Sequence, residues 1–345
     1  MDAALNAKEA ASPPEDPGEI GALGRLKDRL KGEMEVAIGR QFPLEGEKKA
    51  QLSHMERVIQ NVKSILGEEA KTKGIVLPQE AEDIVNVFAW GHDVGKFLKR
   101  EIVQKVDESG ESEVSAILER MGLTDEEKWI FHQAIEKQNP AYVPEWDIAH
   151  NLLSAFYLEV SDFLGEGGNL KPETKKLIRD MVIAHQFSGY YQDLARGLKW
   201  EDQYVDAINA IKRFKDAPIS DYYRLMLKTA KSGDIIEMLA IGNIGPDGKF
   251  TPGGLVKILN LSLKEGVSIQ TALSEAISSV GKSINQVITD LEGAGCASAI
   301  KDSKLLFEKA DNFLTNLSQS QIQGDTDTLY RHILASAQKA SQSLG

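Results

Sequence analysis

The sequence predicts an all-α fold. From about residue 19 onward the apolar residues recur at intervals of three or four, which is the spacing that places them on one face of a helix. No convincing set of segments alternates between apolar and polar residues, as strands with one buried face would. The expected architecture is therefore a set of packed amphipathic helices.

The amphipathic segments follow one another along the first 240 residues. Two early ones are LSHMERVIQNVKSIL, residues 52–66, and AEDIVNVFAWGHD, residues 81–93. Two further segments are IAHNLLSAFYLEVSDFL, residues 148–164, and KPETKKLIRDMVIAHQF, which Pro172 opens near its first turn. The segment ISDYYRLMLKTAKSGDIIEMLAIG begins at residue 219, and Ser220 or Asp221 is expected to cap it.

The segment GNIGPDGKFTPGG, residues 242–254, is the clearest break in this pattern. Its glycines and prolines predict turns rather than a regular element. We therefore expect a disordered tail over 1–18, a helical domain over 19–245, and a helical carboxy-terminal extension of unknown role over 246–345. Shorter helices predicted in that extension include residues 272–293 and 301–318.

Composition restricts the classes of function. The formal net charge of -12 disfavours a general surface for nucleic acid or another polyanion. A single cysteine, Cys296, excludes a disulfide framework within the chain and any cysteine-rich zinc site, so a metal would have to be bound by histidine and carboxylate. No run of about 18 apolar residues and no secretory signal is present, which predicts a cytoplasmic protein without a membrane span.

Histidines and carboxylates recur on the apolar faces of these predicted helices. A single histidine on such a face is usually a satisfied core residue, and Asp234 could instead cap a turn. Several buried imidazoles and two buried carboxylates without partners would cost several kcal/mol, however, whereas a divalent cation would satisfy them together. The candidate ligands are His54, His92, Asp93, His150, His185 and Asp234.

These candidates predict two cations that share one carboxylate. We expect the first cation to be held by His54, His92, Asp93 and Asp234. Asp93 would bridge to a second cation held by His150 and His185, because a carboxylate has two oxygens. Mixed nitrogen and oxygen donors suit Mn, Fe, Co, Ni, Zn or Mg.

The order of these residues resembles the signature H…HD…H…H…D of the HD-domain superfamily of metal-dependent phosphohydrolases. The segment GHDVGK is similar to the HDxGK variant of that family, and the resemblance covers roughly residues 48–240. It implies an HD-domain helical bundle with a dinuclear metal site. The implied activity is hydrolysis of a phosphomonoester or phosphodiester in a small phosphorylated substrate, which could be a nucleotide.

Lys96 lies three residues after Asp93 and therefore close to the same helix face. Asp93 and Lys96 are the predicted catalytic residues, and the lysine would contact a phosphate oxygen in the transition state. Lys231 could offer another phosphate contact from the face of Asp234. His132 is a candidate extra ligand or proton donor, although packing at a helix boundary is the favoured explanation.

Flanking residues allow further hypotheses. Lys99 and Arg100 could extend an anion-attracting patch or simply end a helix, and Lys228 precedes Asp234 by six residues. Tyr190 and Tyr191 are expected in a loop near the second cation, where they could stack on a nucleobase or cover the core.

Three alternatives to a phosphohydrolase stay open at this point. Some HD proteins with this ligand set are similar to di-iron oxygenases that cleave C–C or C–P bonds. An HD nuclease related to CRISPR-associated enzymes is the second alternative, although those enzymes continue with a second histidine where this chain has Gln186. The HD-GYP group has that second histidine as well, and its activity is not expected of this chain. A non-catalytic scaffold is the last alternative, and the oligomeric state is undetermined.

Overall fold

The computed structural model describes residues 17–42, 45–137, 144–161, 163–164, 170–185, 188–208, 214, 219–244, 248, 250–256, 259, 263, 271, 274, 297–320 and 325–342. Helices dominate these ranges, which confirms the all-α prediction. Residues 1–16 of the expected tail lie outside the described residues. The predicted helix over 272–293 lies outside them too, apart from Ser274.

In the described ranges between Pro17 and Met238 there are eleven helices. Their bounds are α1 Pro17–Gln41, α2 Glu45–Lys73, α3 Ala81–Gly91, α4 Val94–Phe97, α5 Lys99–Arg120, α6 Asp125–Glu136, α7 Pro144–Val160, α8 Pro172–Ala184, α9 Ser188–Gly197, α10 Asp202–Ala207 and α11 Asp221–Met238. Because α1 starts at Pro17, the last two residues of the expected disordered tail are helical.

Capping residues begin several of these helices as the sequence leads one to expect. Thr124 and Glu127 form a capping box at the start of α6. Pro172 is at the first turn of α8, where its missing N–H costs nothing. Of the two candidate caps for α11, Ser220 is the one used, since its hydroxyl accepts a hydrogen bond from the backbone N–H of Tyr223 at 3.2 Å.

Helices α3 and α7 form the centre of the main core. In α7 nearly every residue from Trp146 to Leu158 is buried, and α3 is buried along most of its length. Helices α1, α2, α8 and α11 pack around them. A helix buried on all sides can place a polar side chain inside the core, away from bulk water.

Helices α2 and α11 approach each other closely at Gly233. A Cβ at this position would lie 2.3 Å from Cγ2 of Val62, so any larger residue would force the helices apart. The amide of Asn61 also donates to the carbonyl of Gly233 at 3.3 Å. This contact fixes the residue that follows, Asp234, against the helix that carries His54.

A second apolar cluster lies in the carboxy-terminal part. It contains residues of helices α12, Ala297–Gln319, and α13, Thr326–Gln342, together with residues from Leu239 to Leu263. Helix α12 includes the predicted segment 301–318. The division into domains at residue 245 stays a prediction.

The predicted break at 242–254 is more regular than expected. Strand β1, Gly242–Ile244, pairs in antiparallel register with β2, Phe250–Pro252, and Asn243 faces Thr251. The expectation of turns alone was wrong here, because strands of three residues are too short to show an alternating pattern.

Among the described helices, none combines the length and the apolar composition that crossing a bilayer requires.

Candidate metal centre

The structure brings all six predicted ligands together. His54 comes from α2, His150 from α7 and Asp234 from α11, whereas His92 and Asp93 form the turn between α3 and α4 and His185 ends α8. Among the residues that the structure describes, three overlapping groups have ligand atoms within 4.8 Å of one another and could each hold a metal ion. These groups are His54, His92 and Asp93; His92, His185 and Asp234; and Asp93, His150 and His185.

The turn at His92 and Asp93 places the aspartate at the middle of the cluster. We expected both residues on one continuous helix, but α3 ends at Gly91 and Asp93 adopts φ −102° and ψ 8°. Its Oδ2 lies 3.6 Å from Nε2 of His54, and its Oδ1 lies 3.5 Å from Nε2 of His150. The two carboxylate oxygens therefore face different parts of the cluster.

Close packing of α4 on α7 holds this turn in place. The backbone N–H of Gly95 donates to Oγ of Ser154 at 2.7 Å, and that hydroxyl donates to the carbonyl of His92 at 2.7 Å. Nε1–H of Trp146 donates to the carbonyl of Gly95. A Cβ at residue 95 would lie 2.3 Å from the carbonyl oxygen of His150. The second glycine of GHDVGK, Gly95, is therefore required sterically.

Three of the imidazoles are oriented by their own helices. Nδ1 lies within hydrogen-bond distance of the carbonyl three residues earlier, at 2.8 Å in His92 and at 2.5 Å in His150 and His185. Because a carbonyl oxygen only accepts hydrogen bonds, Nδ1 carries the proton in each ring. In the neutral rings Nε2 therefore presents its lone pair to the cluster, as a metal-binding histidine does.

The electrostatics favour neutral imidazoles at His150 and His185 and an ionised carboxylate at Asp93. Burial, assisted by the charge of Lys96, lowers the pKa of His150 well below its usual value. Burial and the neighbouring His92 lower the pKa of His185 to about 4. Burial alone would raise the pKa of Asp93, but Lys96 and His92 outweigh it and hold that pKa well below the ordinary range.

Asp234 behaves like Asp93. Burial is the largest single effect and opposes ionisation of this carboxyl group, but His92, His185 and His54 together outweigh it, so the pKa is lowered. Neutral imidazoles and anionic carboxylates are the protonation states that bind metal cations.

The spacing of the donor atoms fits a bound cation. Nε2 of His92 is buried and lacks a hydrogen-bond partner among the described residues. The nearest carboxylate oxygens, from Asp234 and Asp93, are 3.5 and 3.6 Å away. Two ligand atoms bound to one cation at about 2.1 Å in tetrahedral geometry are separated by roughly 3.4 Å. These residues could therefore hold a metal ion.

Lys96 lies at the edge of the cluster. Its ammonium nitrogen is 2.9 Å from Oδ1 of Asp93, and 29% of its side chain is exposed, against 4% for the aspartate. Burial would lower the pKa of Lys96, but Asp93, Asp147 and Asp234 raise it. Lys96 is thus a fixed cation between the buried carboxylates and the solvent.

The other candidate residues named from the sequence are not among the six clustered ligands. His132 is exposed on α6, and Arg100 is exposed on α5. Nζ of Lys99 lies 5.7 Å from the ring centre of Trp146. Lys231 is buried on α11, three residues before a candidate ligand.

The expected loop at Tyr190 and Tyr191 is wrong, because both residues belong to helix α9. Tyr191 is buried, and its ring centre lies 5.3 Å from that of His150. Gln186 and the side chain of Tyr190 lie outside the described residues.

Sequence reasoning missed a buried ion pair next to His54. Oε2 of Glu237 lies 3.3 Å from Nδ1 of His54, and Arg57 donates from Nε to Oε1 of the same carboxylate at 2.5 Å. Arg57 follows His54 by three residues, and Glu237 follows Asp234 by three. Since residues three apart share a helix face, this spacing could have identified both.

Comparison of the chain with protein-family models, with curated proteins and with solved structures finds no match. The assignment to the HD-domain superfamily therefore stays a prediction from the motif.

Proposed function

We propose that this protein is a metal-dependent phosphohydrolase that cleaves a phosphomonoester or phosphodiester bond, with a nucleotide-like molecule as substrate. The observation that supports this most strongly is the convergence of four imidazoles and two carboxylates on one buried cluster, with Asp93 shared by two of its ligand groups. Such a set of charged and polar groups is costly to bury without a cation.

Two divalent cations would be distributed over this cluster. His54, His92, Asp93 and Asp234 would hold one of them. His150 and His185 would hold the other together with Asp93. A pair of cations sharing a carboxylate supplies an activated water and neutralises the charge of phosphoryl oxygens.

The protein's own residues would orient the substrate and exclude water. Lys96 is the partly exposed cation nearest to Asp93, so its ammonium would attract a phosphoryl oxygen as a point charge. On the inner side, the ring centre of Phe88 lies 5.4 Å from that of His92 and 6.1 Å from that of His185. This apolar wall keeps bulk solvent away from the imidazoles, which strengthens electrostatic interactions in the cluster.

The test is a hydrolysis assay with a panel of phosphomonoesters, phosphodiesters and nucleotides. The protein is stripped with a chelator and assayed before and after Mn²⁺ is added. We expect phosphate or nucleotide release only with the metal, and we expect Asp93→Ala to abolish it. His132→Ala is the matched control, because His132 is exposed and lies outside the cluster.

Metal loading also separates hydrolysis from the oxygenase alternative. A hydrolase releases phosphate or a nucleotide under anaerobic conditions. Oxygen consumption by the iron-loaded protein, without any metal-dependent hydrolysis across the panel, would contradict the proposal.

A further inference from the structure

His54 is oriented differently from the other three imidazoles of the cluster. The rings of His92, His150 and His185 each donate Nδ1–H to a neutral backbone carbonyl. Nδ1 of His54 instead faces a carboxylate oxygen of Glu237, on a different helix, at 3.3 Å. Its Nε2 lies 3.6 Å from an oxygen of Asp93 and 3.6 Å from an oxygen of Asp234.

Arg57 and Glu237 form a well-defined pair behind this ring. The side chain of Glu237 is fully buried, and that of Arg57 is 13% exposed. Both Nε and Nη2 of the guanidinium contact Oε1 of the carboxylate, which leaves Oε2 facing His54. The guanidinium offsets the cost of burying the carboxylate and fixes which oxygen the imidazole meets.

We propose that Glu237 and Arg57 are positioning residues that make the His54 half of the cluster the tighter of two cation sites. The inference rests on the proposed function, since it requires that the cluster binds cations. A carboxylate behind a metal-binding histidine fixes the ring orientation and increases the basicity of the other nitrogen. A neutral carbonyl increases the basicity of the ring less strongly than a carboxylate does. The half with His150 and His185 therefore binds its cation more weakly.

The ligand charges act in the same direction. The His54 half contains Asp93 and Asp234, whereas the His150 half has only the shared carboxylate of Asp93. Glu237 adds a further negative charge beside the His54 half, and the site with more anionic character retains a divalent cation better.

The test compares the two binding steps of Co²⁺, which visible absorption and titration calorimetry follow. His150→Ala, which retains the His54 half, identifies the step that belongs to each site. In Glu237→Gln we expect the affinity of the tighter step to fall by about 10- to 100-fold, with the weaker step little changed.

Glu159→Gln is the matched control. Nη1 of Arg179 lies 2.9 Å from Oε1 of Glu159, so this variant also removes the charge of a partly buried glutamate paired with arginine, away from the cluster ligands. We expect both binding steps to be unchanged in this control.

Arg57→Lys gives a second, milder test that keeps the positive charge but loses the planar fork of the guanidinium. We expect a smaller loss of affinity in the tighter step. This variant decides the test if Glu237→Gln does not fold. The inference is overturned if the wild type binds two Co²⁺ ions and both variants bind them as the wild type does, or lose affinity equally in both steps. A wild type that binds no cation would overturn the proposed function as well.

Discussion

The Nε2 atoms of His150 and His185 lie 3.1 Å apart. Both rings donate Nδ1–H to backbone carbonyls, so in their neutral forms the two Nε2 lone pairs face each other. That contact is repulsive unless something positive lies between the rings. The separation is close to that of two ligand atoms on one cation with bonds of about 2.1 Å.

Removing one of these rings should therefore remove one cation. We predict that His150→Ala retains one divalent cation per chain where the wild type retains two, because the His54 half keeps all of its ligands. Elemental analysis after dialysis measures this, with His132→Ala as the control. Full metal content in His150→Ala would show that this ring is not a ligand.

Lys96 should matter for catalysis more than for metal binding. We predict that Lys96→Met lowers kcat by about 100- to 1000-fold, because it removes a positive charge next to the transferred phosphoryl group. Both cations should still bind. Steady-state kinetics measures kcat, and elemental analysis measures the bound cations. Lys99→Met is the control: the side chain of Lys99 lies beside Trp146, so kcat should change little. An unaltered kcat in Lys96→Met would contradict the proposed role.

Gly95 should be intolerant of even one methyl group. An added Cβ would lie 2.3 Å from the carbonyl oxygen of His150, so Gly95→Ala should separate α4 from α7 and lower the free energy of unfolding by about 1–3 kcal/mol. Urea unfolding measures this. In Gly67→Ala the new Cβ meets nothing within 4 Å, and the gain in helix propensity should stabilise α2 by up to about 1 kcal/mol. Equal stability of the two variants would contradict the steric argument.

The free energy of unfolding should depend on pH through the carboxyl group of Glu19. Its carboxylate accepts hydrogen bonds from the hydroxyl of Thr174 at 2.6 Å and from the backbone N–H of Lys171 at 3.1 Å, which joins α1 to the start of α8. Burial would raise the pKa of Glu19, but the contacts with Lys171 and Thr174 lower it below the ordinary 4.5. The stabilisation is therefore complete above pH 4.5 and is lost as the pH falls through the lower pKa of the folded state.

Glu19→Gln should accordingly lower the free energy of unfolding at pH 7 by about 1–3 kcal/mol. The difference from the wild type should shrink in acid below pH 4.5, where the carboxylate of the unfolded wild type is protonated. Urea unfolding of both proteins across this pH range tests the prediction. A constant difference would mean that the charge of Glu19 is not what stabilises the contact.

The helices could be predicted from the sequence, and the candidate ligands that cluster could be named from it, because each depends on local spacing. His150 and Asp234 stand within long amphipathic segments, and the helical period places them beside core residues. The partners that hold the cluster depend on contacts between distant segments. Ser154 and Trp146 act on a turn more than fifty residues earlier in the chain, and no local pattern indicates such a contact.

Helix α9 and the hairpin of β1 and β2 are two places where the local pattern predicted the wrong structure. The segment with Tyr190 and Tyr191 follows the candidate ligand His185 and begins with Ser188 and Gly189, so a loop was expected there. Tyr191 is helical and buried because its ring packs against His150. In α9 a tertiary contact accompanies a local structure that propensity leaves undetermined. In the hairpin the strands of three residues are too short to show a pattern.

Anomalous diffraction from crystals grown with Mn²⁺ locates each cation relative to Asp93 and so shows whether this carboxylate is shared by two cations. We predict two peaks about 3.5–4 Å apart, one beside His54 and Asp234 and the other beside His150 and His185, with the carboxylate of Asp93 between them. Crystals of the Mn²⁺-treated protein with no peak among these residues would contradict this prediction.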